Sequence, residues 1–292
     1  LAINHEYTDD GLLHTDGMKT WSAEKVAKAM AAHGVSVIEV ERAGDAWKTV
    51  RPSRYARRIT ASTPMRIAGP AAGHAMMKTA ADPTGRTVTG TLNNCSGGLT
   101  PWGTVLSGEE NFNNYFGATD GAAAPTPADA DRWKRYGIKL KPSERKWERF
   151  DPRFDLTATP NEVNRFGYVV ELNPWDPTST PVKHTALGRF KHEAATIYVT
   201  GDGTVVAYSG DDERFDYIYK FVAAKKMQPG RDAAAMAANM ALLDEGTLYV
   251  AKLSSDIPPS QIDGSGTLPA TGSFGGSGTW IPLLRSAGDG SA

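Results

Sequence analysis

Short runs of alternating or continuous apolar residues, rich in β-branched and aromatic side chains, recur along the chain and predict strands. They fall at Val35–Val40, Thr87–Leu92, Trp102–Leu106, Gly167–Leu172, Thr196–Thr200, Val205–Tyr208, Tyr217–Val222, Thr247–Leu253 and Thr279–Leu284. Turn-forming clusters separate them, which is the pattern of all-β sandwiches, barrels and propellers. Asp202-Gly203 between two of these runs suits a tight hairpin turn, so Thr196–Thr200 and Val205–Tyr208 are expected to be sheet neighbours. Two stretches instead carry a helical pattern. Ser22 is placed to cap a helix through Ala23–Met30 with Val26, Ala29 and Met30 on one face and Gly34 as the stop, and Arg231–Leu243 is rich in Ala and Met. No strand-helix alternation accompanies them, so they read as insertions on a β-scaffold. Gly117–Ala130 and Ser254–Gly278 read as long surface loops. The even strand spacing from Gly167 to Leu284 suits successive propeller blades, although no sequence repeat accompanies it.

The chain has 292 residues, 40% of them hydrophobic, enough to bury a large core. A formal net charge of −1 offers no global attraction to nucleic acid or to an anionic membrane, and no apolar run reaches the roughly 20 residues of a membrane span. No nucleic-acid partner and no membrane span are therefore expected. Both ends read as cut, at Leu1 and in the Ser286–Ala292 loop, so residues 1–292 are expected to form one partial domain of a longer protein. A single cysteine excludes a disulfide framework without fixing the compartment.

Chemistry concentrates in four polar clusters at strand ends or turns. They are Asn4-His5-Glu6, the turn-forming run Asn93-Asn94-Cys95-Ser96-Gly97-Gly98, Glu109-Glu110-Asn111, and His192-Glu193 with Asp211-Asp212-Glu213-Arg214. Carboxylate and amide oxygens suit a hard cation such as Ca²⁺, whereas a thiolate beside carboxylates suits a transition metal. Cys95 can be such a ligand or simply a small buried hydrophobe. Any one acidic pair can equally be a solvated surface feature, but three successive acids repel one another and gain most from a cation or from Arg214. In a simple hairpin Glu193 and Asp211 fall at the same sheet end, which would bring two carboxylates to one rim. His192 is expected to support that site or to lie on the surface. The stripe Phe215-Tyr217-Tyr219-Phe221 reads as core packing or substrate stacking. Phosphate-loop, dinucleotide and nucleophile-elbow motifs are absent from the sequence.

The strings Asn93–Thr104, Ser107-Gly108-Glu109-Glu110-Asn111-Phe112, Gly188-Arg189-Phe190-Lys191-His192-Glu193 and Gly210-Asp211-Asp212-Glu213-Arg214-Phe215, in that order, resemble the PhoX family of bacterial alkaline phosphatases. Asn4-His5-Glu6-Tyr7 and Asn173-Pro174-Trp175-Asp176-Pro177 are also similar to it. The resemblance implies an all-β, incomplete propeller with helical insertions and long loops, which hydrolyses small phosphorylated substrates with Ca²⁺ and Fe³⁺. It further implies export by the twin-arginine route to the periplasm or beyond, and a monomer is expected. On that model Cys95 would be an iron ligand and Glu193 would help hold the iron pair, both at the catalytic centre. Glu109 and Glu110 would sit on calcium, Asp211 and Glu213 would be further metal ligands, and Asn94 and Asn111 would face the phosphate. The chain departs from the family in its length and in lacking the later motif of Asp-Arg-Pro-Glu type, which supplies a phosphate-binding arginine. A calcium-binding propeller without catalysis and a propeller hydrolase of another ester, such as a lactone, are the rival functions. Cys95 as a covalent nucleophile is the lesser alternative, because no base or helix N-terminus in the sequence lowers its pKa.

Overall fold

Most strands of this computed structural model fall into three sheets, and the described residues are 1–119, 121, 125–255 and 276–287. The first sheet joins Ala2–His5, Gly34–Val37 and Arg57–Ile59. The second has six strands in the spatial order Thr87–Thr89, Pro64–Ala68, Val182–His184, Val169–Leu172, Val105–Glu109 and Asn94–Leu99. The third is a five-stranded antiparallel meander of Thr196–Val199, Thr204–Gly210, Ile218–Lys226, Gly246–Ser255 and Gly276–Ser286. A separate hairpin pairs Val40–Ala43 with Ala46–Thr49. The protein is thus mostly β, in several sheets that do not close into a barrel among the described residues.

The expected hairpin is present, with Thr196 opposite Tyr208 and Val199 opposite Val205. The Ser22 hydroxyl accepts from the Lys25 amide and starts the helix Ala23–Ala32, whose Val26, Ala29 and Met30 are buried against the first two sheets. The Ala/Met-rich stretch forms Ala233–Met240, capped by Asp232, and a 3₁₀ turn through Asp244. Gly117–Ala130 is not a loop throughout. Thr126 accepts from the Asp129 amide and Pro127 occupies the first helical position, so the helix Pro127–Arg135 starts inside that stretch. The other expected loop, Ser254–Gly278, lies largely outside the described residues, and its ends belong to the last hairpin.

Two apolar cores flank the six-stranded sheet. One face packs Phe112, Tyr115, Trp147, Phe154 and Phe166, and the other packs Trp102, Leu106, Phe190 and Phe221 beneath the meander. A buried ionic group pins the second interface. His184 donates through Nδ1 to Asp244 (2.7 Å) and through Nε2 to Glu171 (2.8 Å), while Glu171 also accepts from Trp102 Nε1 and the Thr104 hydroxyl. Burial alone would lower the imidazole's proton affinity, but Asp244 and Glu171 outweigh it and hold His184 up to about 9. The folded value lies above the unfolded one near 6.5. The stability that this proton contributes is therefore complete below pH 6.5 and disappears as pH rises through about 9. Thermal melts of wild type and His184→Gln from pH 6 to 10 should converge as the wild type loses this advantage; a constant difference would contradict a charged His184.

Candidate metal centre

The segment carrying Cys95 is a strand rather than a turn. Asn94–Leu99 forms the edge of the six-stranded sheet, paired with Val105–Glu109. Its two glycines, which suggest a turn in the sequence, are instead required by close packing. A Cβ on Gly97 would lie 1.8 Å from the Leu106 carbonyl oxygen, and one on Gly98 would lie 2.2 Å from that of Ala195. Gly98 thus lets the edge strand approach the start of the meander. A register irregularity between Asn94 and Gly97, preceded by Asn93 at φ +49°, re-aims the strand at Cys95.

Three strand ends converge there. Glu6 follows the first strand of the first sheet, Cys95 lies on the edge strand of the second, and Glu110 directly follows the strand Val105–Glu109. Ligating atoms of Glu6, Cys95 and Glu110 lie within 4.8 Å of one another, as do those of Glu110, Glu193 and Asp212. Glu110 belongs to both groups. Glu193 and Asp212 come from the two segments that flank the Asp-Gly hairpin, where His192 and Asp211 form an antiparallel bridge. Residues 193 and 211 do therefore lie at the same rim, as the hairpin geometry predicts, although the carboxylate grouped with Glu193 is that of Asp212.

Amides brace the cluster. Asn4 Nδ2 donates to the Cys95 carbonyl (2.8 Å) and Asn4 Oδ1 accepts from Ser107 (3.1 Å), which ties the first strand to the Cys95 strand. Asn111 Nδ2 donates to Glu110 Oε1 (2.7 Å), and its backbone amide donates to Asn93 Oδ1 (2.7 Å). The electrostatics are those of a negative well. Burial pushes the Cys95 thiol up to about 12, assisted by its hydrogen bond to Glu110 and by the charges of Glu110, Glu6 and Glu193. Burial and then Asp212 push Glu110 up to about 7. Like groups crowded in this way retain protons that a cation would displace. A thiol so strongly protonated is also a poor free nucleophile.

Several expected ligands do other work. Glu109 is fully buried and faces away from the cluster: Oε1 accepts from Lys183 Nζ (2.7 Å), Thr91 and the Leu92 amide, and Oε2 from the amides of Gly167 and Tyr168. Neighbouring residues at a strand end point to opposite faces, so Glu109 and Glu110 cannot both reach the ion. Asp211 accepts from the Lys191 and Glu213 amides and pairs with Arg135. Glu213 pairs with Lys191 at 2.5 Å. Asn94, expected to face phosphate, is fully buried, and its amide nitrogen donates to Thr91 and Ser107. His192 is buried, with its ring 3.7 Å from that of Phe190. Of the aromatic stripe, Tyr219 and Phe221 are core, whereas Phe215 is fully exposed at φ +66° and Tyr217 is exposed. Glu6 and Asp212 are the ligand candidates that the sequence reading missed. Glu6 carried a signal as one of the polar clusters, and Asp212 as the middle of three acids.

A family model described as alkaline phosphatase PhoX matches residues 1–291. A solved structure described as Pseudomonas fluorescens PhoX in complex with vanadate, a transition state analogue, is similar at 48% identity with a TM-score of 0.84. The similarity covers 97% of this chain and 45% of that one, so the chain spans less than half the length of that protein. No curated protein matches the chain.

Proposed function

The chain belongs to the PhoX family of alkaline phosphatases, and from that premise we propose that it serves metal-dependent hydrolysis of small phosphate monoesters. The observation that carries this reading is the pair of ligand groups sharing Glu110 within a chain of that family. The donor chemistry fits the family's ions. Glu6, Cys95 and Glu110 combine a thiol with carboxylates and suit ferric iron, whereas Glu110, Glu193 and Asp212 offer oxygen alone and suit calcium. The sheets then correspond to part of a β-propeller, a reading supported by the five-stranded antiparallel meander and by the similarity to PhoX. Export by the twin-arginine route and a monomeric state belong to the same proposal.

When bound, the cations supply positive charge to the phosphoryl oxygens and to the departing alkoxide during in-line attack by water. The protein's part is to hold the ligands in place before the ions arrive. Cys95 and Glu110 give up their protons on loading, which makes uptake favour higher pH. Asn111 fixes one Glu110 oxygen and leaves the other for coordination, while Asn4 holds the Cys95 backbone to the first sheet. Asn111 is half-buried and has a second amide hydrogen, so it remains the group in this set that can also meet a phosphoryl oxygen.

Elemental analysis of the purified protein, together with hydrolysis of p-nitrophenyl phosphate and of a lactone, tests the proposal. Iron and calcium with phosphomonoester turnover is the expected result. Calcium alone without hydrolysis would replace it with a binding module, and lactone turnover alone with another esterase.

A further inference from the structure

We propose that Arg135 is a positioning residue for the oxygen-only cation site: it clamps the Asp211–Asp216 loop and so sets the separation of Glu193 and Asp212. The inference rests on the metal-binding reading above but concerns residues outside the ligand set.

Arg135 ends the helix Pro127–Arg135, far in sequence from the meander. Its Nη1 and Nη2 meet the two oxygens of Asp216 at 3.0 and 3.1 Å, and Nη2 also reaches Asp211 Oδ2 at 3.3 Å. The guanidinium therefore spans both ends of the loop that carries Asp212. Its fork is planar and rigid, so it fixes direction as well as charge. The Asp211 side chain is only 1% exposed, and its other oxygen accepts from the backbone amides of Lys191 and Glu213. The Asp212 amide in turn donates to the Lys191 carbonyl (3.1 Å), and the Glu193 amide to that of Gly210 (3.5 Å). Lys191–Glu193 and Gly210–Glu213 are thus stitched side by side, with one ligand candidate on each.

Asp211, expected from the sequence to bind the ion, becomes the centre of this brace. A carboxylate so deeply buried, sharing one guanidinium with Asp216, calls for a cationic partner. Arg135 is that partner. The strain at Phe215, a bulky residue at φ +66° within the clamped loop, agrees with a backbone held by its surroundings rather than by its own preference.

Two effects of Arg135 on calcium affinity have opposite signs, which makes the inference decidable. As a nearby positive charge it repels a cation, so a purely electrostatic role predicts that Arg135→Ala tightens binding. As a clamp it keeps Glu193 and Asp212 converged, so the same change weakens binding. Arg135→Lys retains the charge and loses the fork. Calcium titration calorimetry on the chelator-stripped protein should show affinity reduced about tenfold or more in both variants, the range typical of partners that orient metal ligands. The melting temperature in chelator should fall less in Arg135→Lys, which keeps a cation beside Asp211, than in Arg135→Ala. Unchanged affinity in Arg135→Lys or tighter binding in Arg135→Ala would each overturn the clamp. A wild-type protein that takes up no calcium would instead overturn the cation reading, and this inference with it.

Discussion

Cys95→Ser is expected to reduce bound iron to background and to cut phosphatase activity by at least about a hundredfold, beyond what loss of an outer partner of a metal costs. The substitution is nearly isosteric, at a half-buried position outside both apolar cores, so the melting temperature of the metal-free protein should hardly move. What changes is the donor. A thiol pushed up to about 12 still ionises when a ferric ion competes for its sulfur, whereas a serine hydroxyl is far less acidic and a weaker partner for a transition metal. Calcium uptake should persist, because Glu110, Glu193 and Asp212 form a group without Cys95. Iron content by mass spectrometry and calcium titration on the same sample separate the two effects. Full retention of iron and turnover in the serine variant would remove Cys95 from the metal centre, and parallel loss of both ions would mean one indivisible site rather than two groups bridged by Glu110.

The sequence disclosed the local elements better than their assembly. Period-2 runs and a capped helix locate the meander strands and Ala23–Ala32, because those patterns arise from burial on one face. Short strands such as Ala2–His5, Arg57–Ile59 and Val182–His184 carry too few residues for a period to show. The Asn94–Leu99 strand was hidden for a different reason: its glycines signal a turn locally, and only the facing carbonyls of Leu106 and Ala195 reveal why side chains are excluded. The site followed the same division. Cys95, Glu110 and Glu193, three members of the two candidate ligand groups, could be named from their strings, and the hairpin places residue 193 at the rim that carries Asp211. Choosing Asp212 over Asp211, or Glu110 over Glu109, depends on which face of the backbone each residue occupies. That in turn depends on register at a strand end, which adjacent acids in a sequence do not disclose. Arg135 reaches Asp211 and Asp216 through a tertiary contact between distant segments, for which a single sequence carries no signal, whereas Glu6 stands in a polar cluster visible in the sequence and only its partners are not.

Glu109→Gln should destabilise the fold by about 3–5 kcal/mol, the usual consequence of stripping one partner from a buried ion pair. For a chain of this size that corresponds to a melting temperature lower by about 10 °C. Both Glu109 and Lys183 have side chains with no solvent exposure, and among the described residues Glu109, the Arg165 carbonyl and the Phe166 ring replace water around the ammonium. Glutamine keeps the shape but turns one acceptor oxygen into a donor, which must then face either Lys183 and Thr91 or the amides of Gly167 and Tyr168. If Glu109 were instead a calcium ligand, the same change would weaken calcium binding and leave the stripped protein as stable as before. Melting in chelator and calcium titration therefore give opposite patterns for the two roles. The pH dependence adds an independent sign. Burial pulls the Lys183 ammonium down to about 8 even though Glu109 opposes the shift, and without that carboxylate the lysine sheds its proton more readily. Once it is neutral the buried-charge penalty is gone, so the gap between wild type and Glu109→Gln should narrow as pH rises from neutral to about 8 and stay level above it, where the lysine is neutral in both proteins. A gap that widened over that range would mean that the variant's defect does not come from the uncompensated charge on Lys183.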